Sequence, residues 1–207
     1  MQDTVKVRIE QNAKVYIHND LSQGATHFSD VVQKKLEDGD RDGIAYDGMA
    51  CALMIAFAFE ANLNFMGNHL LKIGKINEWN ERAKWYKKRD KVFETIGIPV
   101  DENKRPQSSM KRMKELRDTL AHGKPKEFNT EEEKEVMRDE LLKGSILAAE
   151  WQEEVKPEVV KECLADLDEL WKLMIEKSGI PVIDTITQGE KTVAFTNIPK
   201  DKAADTH

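Results

Sequence analysis

Arg117 and His122 stand five positions apart in the run Arg117-Asp118-Thr119-Leu120-Ala121-His122-Gly123. An arginine supplies a permanent, planar positive charge suited to phosphate oxygens. An imidazole is the side chain that ordinarily changes charge between pH 5 and 8, so it can take up or release a proton in a reaction. Together they offer a fixed positive charge close in sequence to a group able to titrate near neutrality. Glu60 is the third residue of interest. From Gly48 to Leu71, a stretch of 24 residues, it is the only charged side chain. A carboxylate in so apolar a stretch is expected to be partly buried, and burial demands a cation or a raised pKa. The alternative is a Glu60 that faces a gap and touches water.

These residues must be positioned by helices. With about 100° per residue and Met110 at zero, Met113 falls at about 300°, Leu116 at about 240°, Leu120 at about 280° and Ala121 at about 20°. Arg117 falls at about 340°, inside that apolar stripe, whereas Lys111, Lys114 and Asp118 lie off it. Either Arg117 snorkels, packing its stem and freeing its head, or it meets a buried carboxylate. Two opposite charges on apolar faces of different helices predict a Glu60–Arg117 pair in a partly buried cleft. His122 closes its helix just before Gly123, where the helix dipole favours a cation. By position alone it could be a simple capping residue.

Other chemistries find no support in the spacing. The histidines at 18, 27, 69, 122 and 207 show no H-x-x-x-H pattern. No G-x-S-x-G motif and no glycine-rich phosphate loop occurs, so no cofactor is expected. The two cysteines, Cys51 and Cys163, lie far apart and form no C-x-x-C, which argues against a disulfide framework or a cysteine zinc site and fits a reducing cytosol.

The formal charge of −6 is unevenly spread. Residues 72–126 hold sixteen Lys and Arg against eight Asp and Glu, a local +8, leaving −14 on the rest. Local field decides where a polyanion can bind. The segment interleaves Trp79, Trp85 and Tyr86 with Lys87, Lys88 and Arg89. With Lys111 and Lys124, these cations are the candidate surface for a polyanion, expected on the same side as His122. The plain alternative is an amphipathic helix with Trp inward and Lys outward.

The chain of 207 residues, 40% hydrophobic, is long enough for one core without staples. Residues 1–24 read as an N-terminal arm or short strands. Helices are expected over 25–38, 44–73, 77–95, 106–122, 130–154 and 157–177, with Gly and Pro at the breaks. Val182, Ile183, Ile186, Val193 and Phe195 around Gln188-Gly189 predict a β-hairpin over 178–199. Residues 200–207 read as a loose tail. The fold class is mainly α: an antiparallel up-and-down bundle of four to five long helices over 25–177, with small terminal β elements. No signal peptide opens the chain, and the uncharged run Met49–Phe59 is too short to span a bilayer, so no membrane role and a cytoplasmic location are expected.

The run from Arg117 to His122 resembles the R-[N/D]-x-x-x-H signature of the HEPN superfamily, small helical domains of prokaryotic defence and toxin–antitoxin systems. The stretch Phe59–Gly67 is similar to the earlier family helix, whose polar, often acidic residue faces the motif; Glu60 matches that role. The resemblance implies a metal-independent endoribonuclease acting through 2′-OH attack. His122 would be general acid or base, Arg117 the charge stabiliser, Glu60 a third catalytic residue, and Asp118 and Asn64 auxiliary. It implies a homodimer in which two motifs meet, with an antitoxin or defence-system protein as a further partner. Some members do not cleave and serve as modules binding a protein or nucleotide.

Overall fold

The computed structural model describes residues 6–123 and 150–195. The fold is mainly helical with one small two-stranded antiparallel sheet. In chain order the elements are β1 (Val7–Lys14), α1 (Ile17–Glu37), α2 (Ile44–Lys72), α3 (Trp85–Ile96), α4 (Gln107–His122), α5 (Glu150–Glu154), α6 (Pro157–Ser178), a 3-10 turn (Val182–Thr185) and β2 (Gln188–Phe195).

Helix α2 is the hub, touching α1, α3, α4 and α6. Its apolar character on nearly every face is what a central helix requires. Ile55, Phe59, Leu63, Met66 and Leu70 are fully buried, against Val92 and Phe93 of α3, Met110 and Met113 of α4, and Leu167, Leu170 and Met174 of α6. By length and composition alone α2 could cross a membrane. Cys51 and Cys163 are buried free thiols, and burial pushes them up to about 12 and about 11.

Three expectations need correction. The first helix begins at Ile17 rather than at 25, so residues 17–24 are helical and not part of an arm. The helix expected over 77–95 begins only at Trp85. Asn80 is the reason: its side chain accepts from the Arg82 N–H at 2.9 Å and its carbonyl from the Ala83 N–H at 3.1 Å, a local turn that competes with the helix. That turn also lays Trp79 over Gly67, where a Cβ would collide with the indole. The C-terminal hairpin does not form. Residues 182–185 make a 3-10 turn, and β2 pairs instead with β1 in antiparallel register, Val7 opposite Phe195 and Lys14 opposite Gln188. Asn19 Nδ2 donates to the Thr185 carbonyl at 2.9 Å, and the Tyr16 N–H to Thr187 Oγ1 at 3.1 Å, joining the start of α1 to the segment that leads into β2. Of the expected 130–154 helix only Glu150–Glu154 lies in the described residues, as α5; the 200–207 tail lies outside them.

Candidate functional site

Helix α4 carries the motif and ends where expected. Gly123 adopts φ +48°, the left-handed region open to glycine, and its N–H donates to the Thr119 carbonyl at 3.2 Å. This stop leaves His122 at the last helical position, exposed to solvent.

Glu60 is where two buried cations converge. Lys88 of α3 donates to Oε1 at 2.7 Å, and Lys114 of α4 donates to Oε2. Both lysines are only 1% exposed. Lys88 has two further acceptors, Asn64 Oδ1 at 3.2 Å and the Glu81 carbonyl at 3.1 Å. Burial by itself would raise the Glu60 carboxyl; hydrogen bonds and charge from Lys114 and Lys88 outweigh it and hold the pKa below the usual value. The cluster carries one more positive than negative charge.

Glu60 and Arg117, expected as a pair meeting directly or through one water, form no direct ion pair. Arg117 donates to Asp118 at 2.7 Å, and its guanidinium lies 5.5 Å from the centre of the Phe57 ring. The two residues nevertheless share one cavity of about 370 Å³, lined also by Lys114, Asp118, Lys84, Ala83, Trp85 and Tyr86. Arg117 is half-buried, neither a free snorkel nor a core residue.

The expected cationic surface is corrected as well. Lys88 is the buried partner of Glu60. Arg89 is 4% exposed, paired with Glu102 at 2.6 Å and with Asp90, and stacked 5.2 Å from the Trp85 ring centre. Neither can meet a polyanion. Lys87 is exposed as expected. Lys111 is half-buried and pairs with Glu102 at 3.1 Å. Lys124 lies outside the described residues.

The cavity thus gathers Glu60, Arg117 and Asp118, with Asn64 joined through Lys88. It does not include His122, Lys87 or Lys111 in its lining. Lys84, Trp85 and Tyr86 belong to the basic, aromatic run weighed in the sequence for phosphates and bases; Lys114 is the cavity residue that sequence reasoning missed. For Lys114 a signal existed: its position at about 40° is only one step from Ala121 at about 20°, the edge of the apolar stripe. Among the described residues no group of three or more His, Cys, Asp and Glu is arranged to hold a metal ion.

No family model, curated protein or solved structure matches this chain. The functional argument rests on the residues themselves. A cavity holding Lys84, Lys114 and Arg117 against Glu60 and Asp118 has a positive surplus, and Trp85 and Tyr86 add aromatic surface. Such a mixture can hold a phosphate and a neighbouring base.

Proposed function

We propose that this chain is a metal-independent endoribonuclease of HEPN type, acting in a prokaryotic defence or toxin–antitoxin setting in the cytoplasm. The supporting observation is Arg117 in a cavity beside Lys114, whose carboxylate partner Glu60 is already shared with Lys88. A carboxylate balanced twice over leaves net positive charge for an incoming phosphate. The finer architecture belongs to the same proposal: an antiparallel up-and-down bundle of four to five long helices that forms a homodimer.

In the reaction the ribose 2′-oxygen attacks the adjacent phosphorus and its proton passes to a base. The bond to the 5′-oxygen breaks, and that oxygen takes a proton. The products are a 2′,3′-cyclic phosphate and a 5′-hydroxyl. His122 serves as general acid or base, and Arg117 with Lys114 balances the charge that grows on the phosphate oxygens. Glu60 acts as a positioning residue, fixing Lys114 where it faces the cavity. In a homodimer, His122 of a second copy adds to the exposed end of the site. An antitoxin or defence-system protein would occupy or cover it.

The test is incubation of the purified protein with labelled RNA in excess EDTA, followed by analysis of fragment ends. Cyclic phosphate and 5′-hydroxyl ends support the reading; cleavage abolished by chelation overturns it.

A second reading has its own observation. Arg117 is engaged by Asp118 and Phe57, and His122 stands outside the cavity lining. A non-catalytic HEPN module that binds a partner protein or nucleotide accommodates that arrangement. RNA retained without cleavage would favour it.

A further inference from the structure

A second cavity, of about 540 Å³, lies where the β1–α1 junction meets α2 and the 3-10 turn. Its size falls within the range of small-molecule sites. Its walls are aromatic. Tyr16 and Phe65 meet edge to face at 5.0 Å and 87°, and the near-parallel His69 ring lies 6.3 Å from Phe65. His18, beneath them, packs 4.7 Å from Phe65. Lys14 and Lys72 line the same space, the Lys14 ammonium 4.8 Å from the Tyr16 ring centre. Their charges act on His69, whose pKa is lowered by burial first and by Lys72, Lys14 and Lys75, against the pull of Asp184.

Acceptors and amides complete the lining. Asp184, Glu81 and Asn64 face the cavity, and Asn68 donates to Glu81 at 2.6 Å. An apolar ligand would strand the charged groups, and a bare inorganic anion would leave the aromatic walls unused. The ligand that meets them has a flat ring for Tyr16, Phe65 and His69, N–H donors for Asp184, Glu81 and the amides, and an anionic group for Lys14 and Lys72. We infer that this cavity binds a nucleotide unit, its base against the aromatic walls and its phosphate toward Lys14 and Lys72.

The unit has two sources: a free nucleotide, or one residue of a single RNA strand. The second source is placed well. Lys88 links this cavity to the one holding Arg117, bonding Glu60 of one and Asn64 of the other. A strand that occupied both would set a base in this cavity and a phosphate in the other. The nucleotide site itself does not depend on the chain being a ribonuclease.

The experiment titrates the full chain with nucleoside 5′-monophosphates, with inorganic phosphate, and with a short single-stranded RNA, following tryptophan fluorescence. Trp171, 5.7 Å from Phe65, reports on the cavity. Expected is saturable binding of at least one monophosphate and none of phosphate alone. Tyr16→Ala should weaken it about fivefold or more, the loss of a stacking surface. Lys72→Glu, at an exposed position, should weaken it comparably in a chain whose fold is undisturbed. RNA binding lowered by these same variants and tighter than that of any monophosphate assigns the site to a strand; monophosphate binding as tight as that of RNA assigns it to a free nucleotide. Binding retained in His122→Ala alongside lost cleavage separates this site from the catalytic one. Absence of saturable binding by both ligands, or binding unchanged in Tyr16→Ala and Lys72→Glu, overturns the inference.

Discussion

Lys88 and Glu60 form a bond of 2.7 Å across the α2–α3 contact, and the lysine that makes it is almost wholly out of water. Lys114 reaches the other carboxylate oxygen from α4. One carboxylate thus ties three helices together and faces a cavity with its positive surplus intact. Removing one partner of a buried pair costs more than the pair itself contributes, because the other charge is left uncompensated.

Glu60→Ala should therefore be among the most damaging single changes in the chain, leaving two buried ammonium groups facing each other. The expected loss is about 3 kcal/mol or more, read by urea unfolding. Acid should show the same dependence. Glu60 has a folded pKa below its unfolded value, so its stabilisation is present above about 4.5 and is lost as pH falls through the lower folded value. A Glu60→Ala variant as stable as the parent would show that the cluster is solvated and not structural.

Gly67→Ala tests packing with no change of charge. In an ordinary helix interior, alanine would stabilise by roughly 1 kcal/mol. Here the added methyl meets the Trp79 ring. Overpacking should win and destabilise by about 1–3 kcal/mol. A raised Tm would mean that the 75–84 turn yields easily and that Trp79 does not fix the start of α3.

His18 gives a separate pH window. Burial lowers its pKa from the ordinary 6.5 to about 4, against opposite pulls from the Thr185 backbone and Asp20. A histidine whose folded pKa is depressed stabilises above about 6.5, and that stabilisation is lost as pH falls toward 4. The loss at pH 4 should be on the order of 2–3 kcal/mol. His18→Phe should flatten the pH dependence between 6.5 and 4.5, measured by melts at each pH, while Glu60 and Glu102, both shifted downward, govern more acidic conditions. An unchanged slope would place the titration on His69, which shifts the same way.

Two charge reversals of adjacent type should behave oppositely. Lys84 is exposed and lines the Arg117 cavity, so Lys84→Glu should weaken RNA binding and reduce its salt dependence while the fold survives. Arg89 is buried between Glu102, Asp90 and Trp85, so Arg89→Glu should destabilise by about 3 kcal/mol or more. Filter binding across a salt series, with circular dichroism on each variant, distinguishes the two. Equal binding by Lys84→Glu and parent would remove the cavity from RNA contact.

Much of the helical skeleton was legible because its signals are local. The apolar run around Phe59, Pro157 at the head of α6, and Gly123 behind α4 each act within a turn or two. What failed was non-local. Val7 and Phe195 are strand partners across nearly the whole chain, and no periodicity near Gln188-Gly189 reveals that the partner lies at the other terminus. The site was half legible: an isolated glutamate on an apolar helix does need a cation, but which cation depends on the relative rotation of α3 and α4. The run Lys87-Lys88-Arg89 looked uniformly solvated, yet a helix turns about 100° per residue, so three consecutive cations, spread over about 200°, cannot all share one face. Lys88 and Arg89 turn inward, and Lys87 does not.

The most direct measurement is the single-turnover cleavage rate of one RNA, in EDTA, for the parent chain, His122→Ala and Arg117→Ala. His122→Ala should slow cleavage by on the order of a hundredfold or more, and Arg117→Ala comparably, with both variants folded and fragments still ending in cyclic phosphate. Parental rates in both variants, or no cleavage by the parent chain, would contradict the assignment of Arg117 and His122 as the catalytic pair.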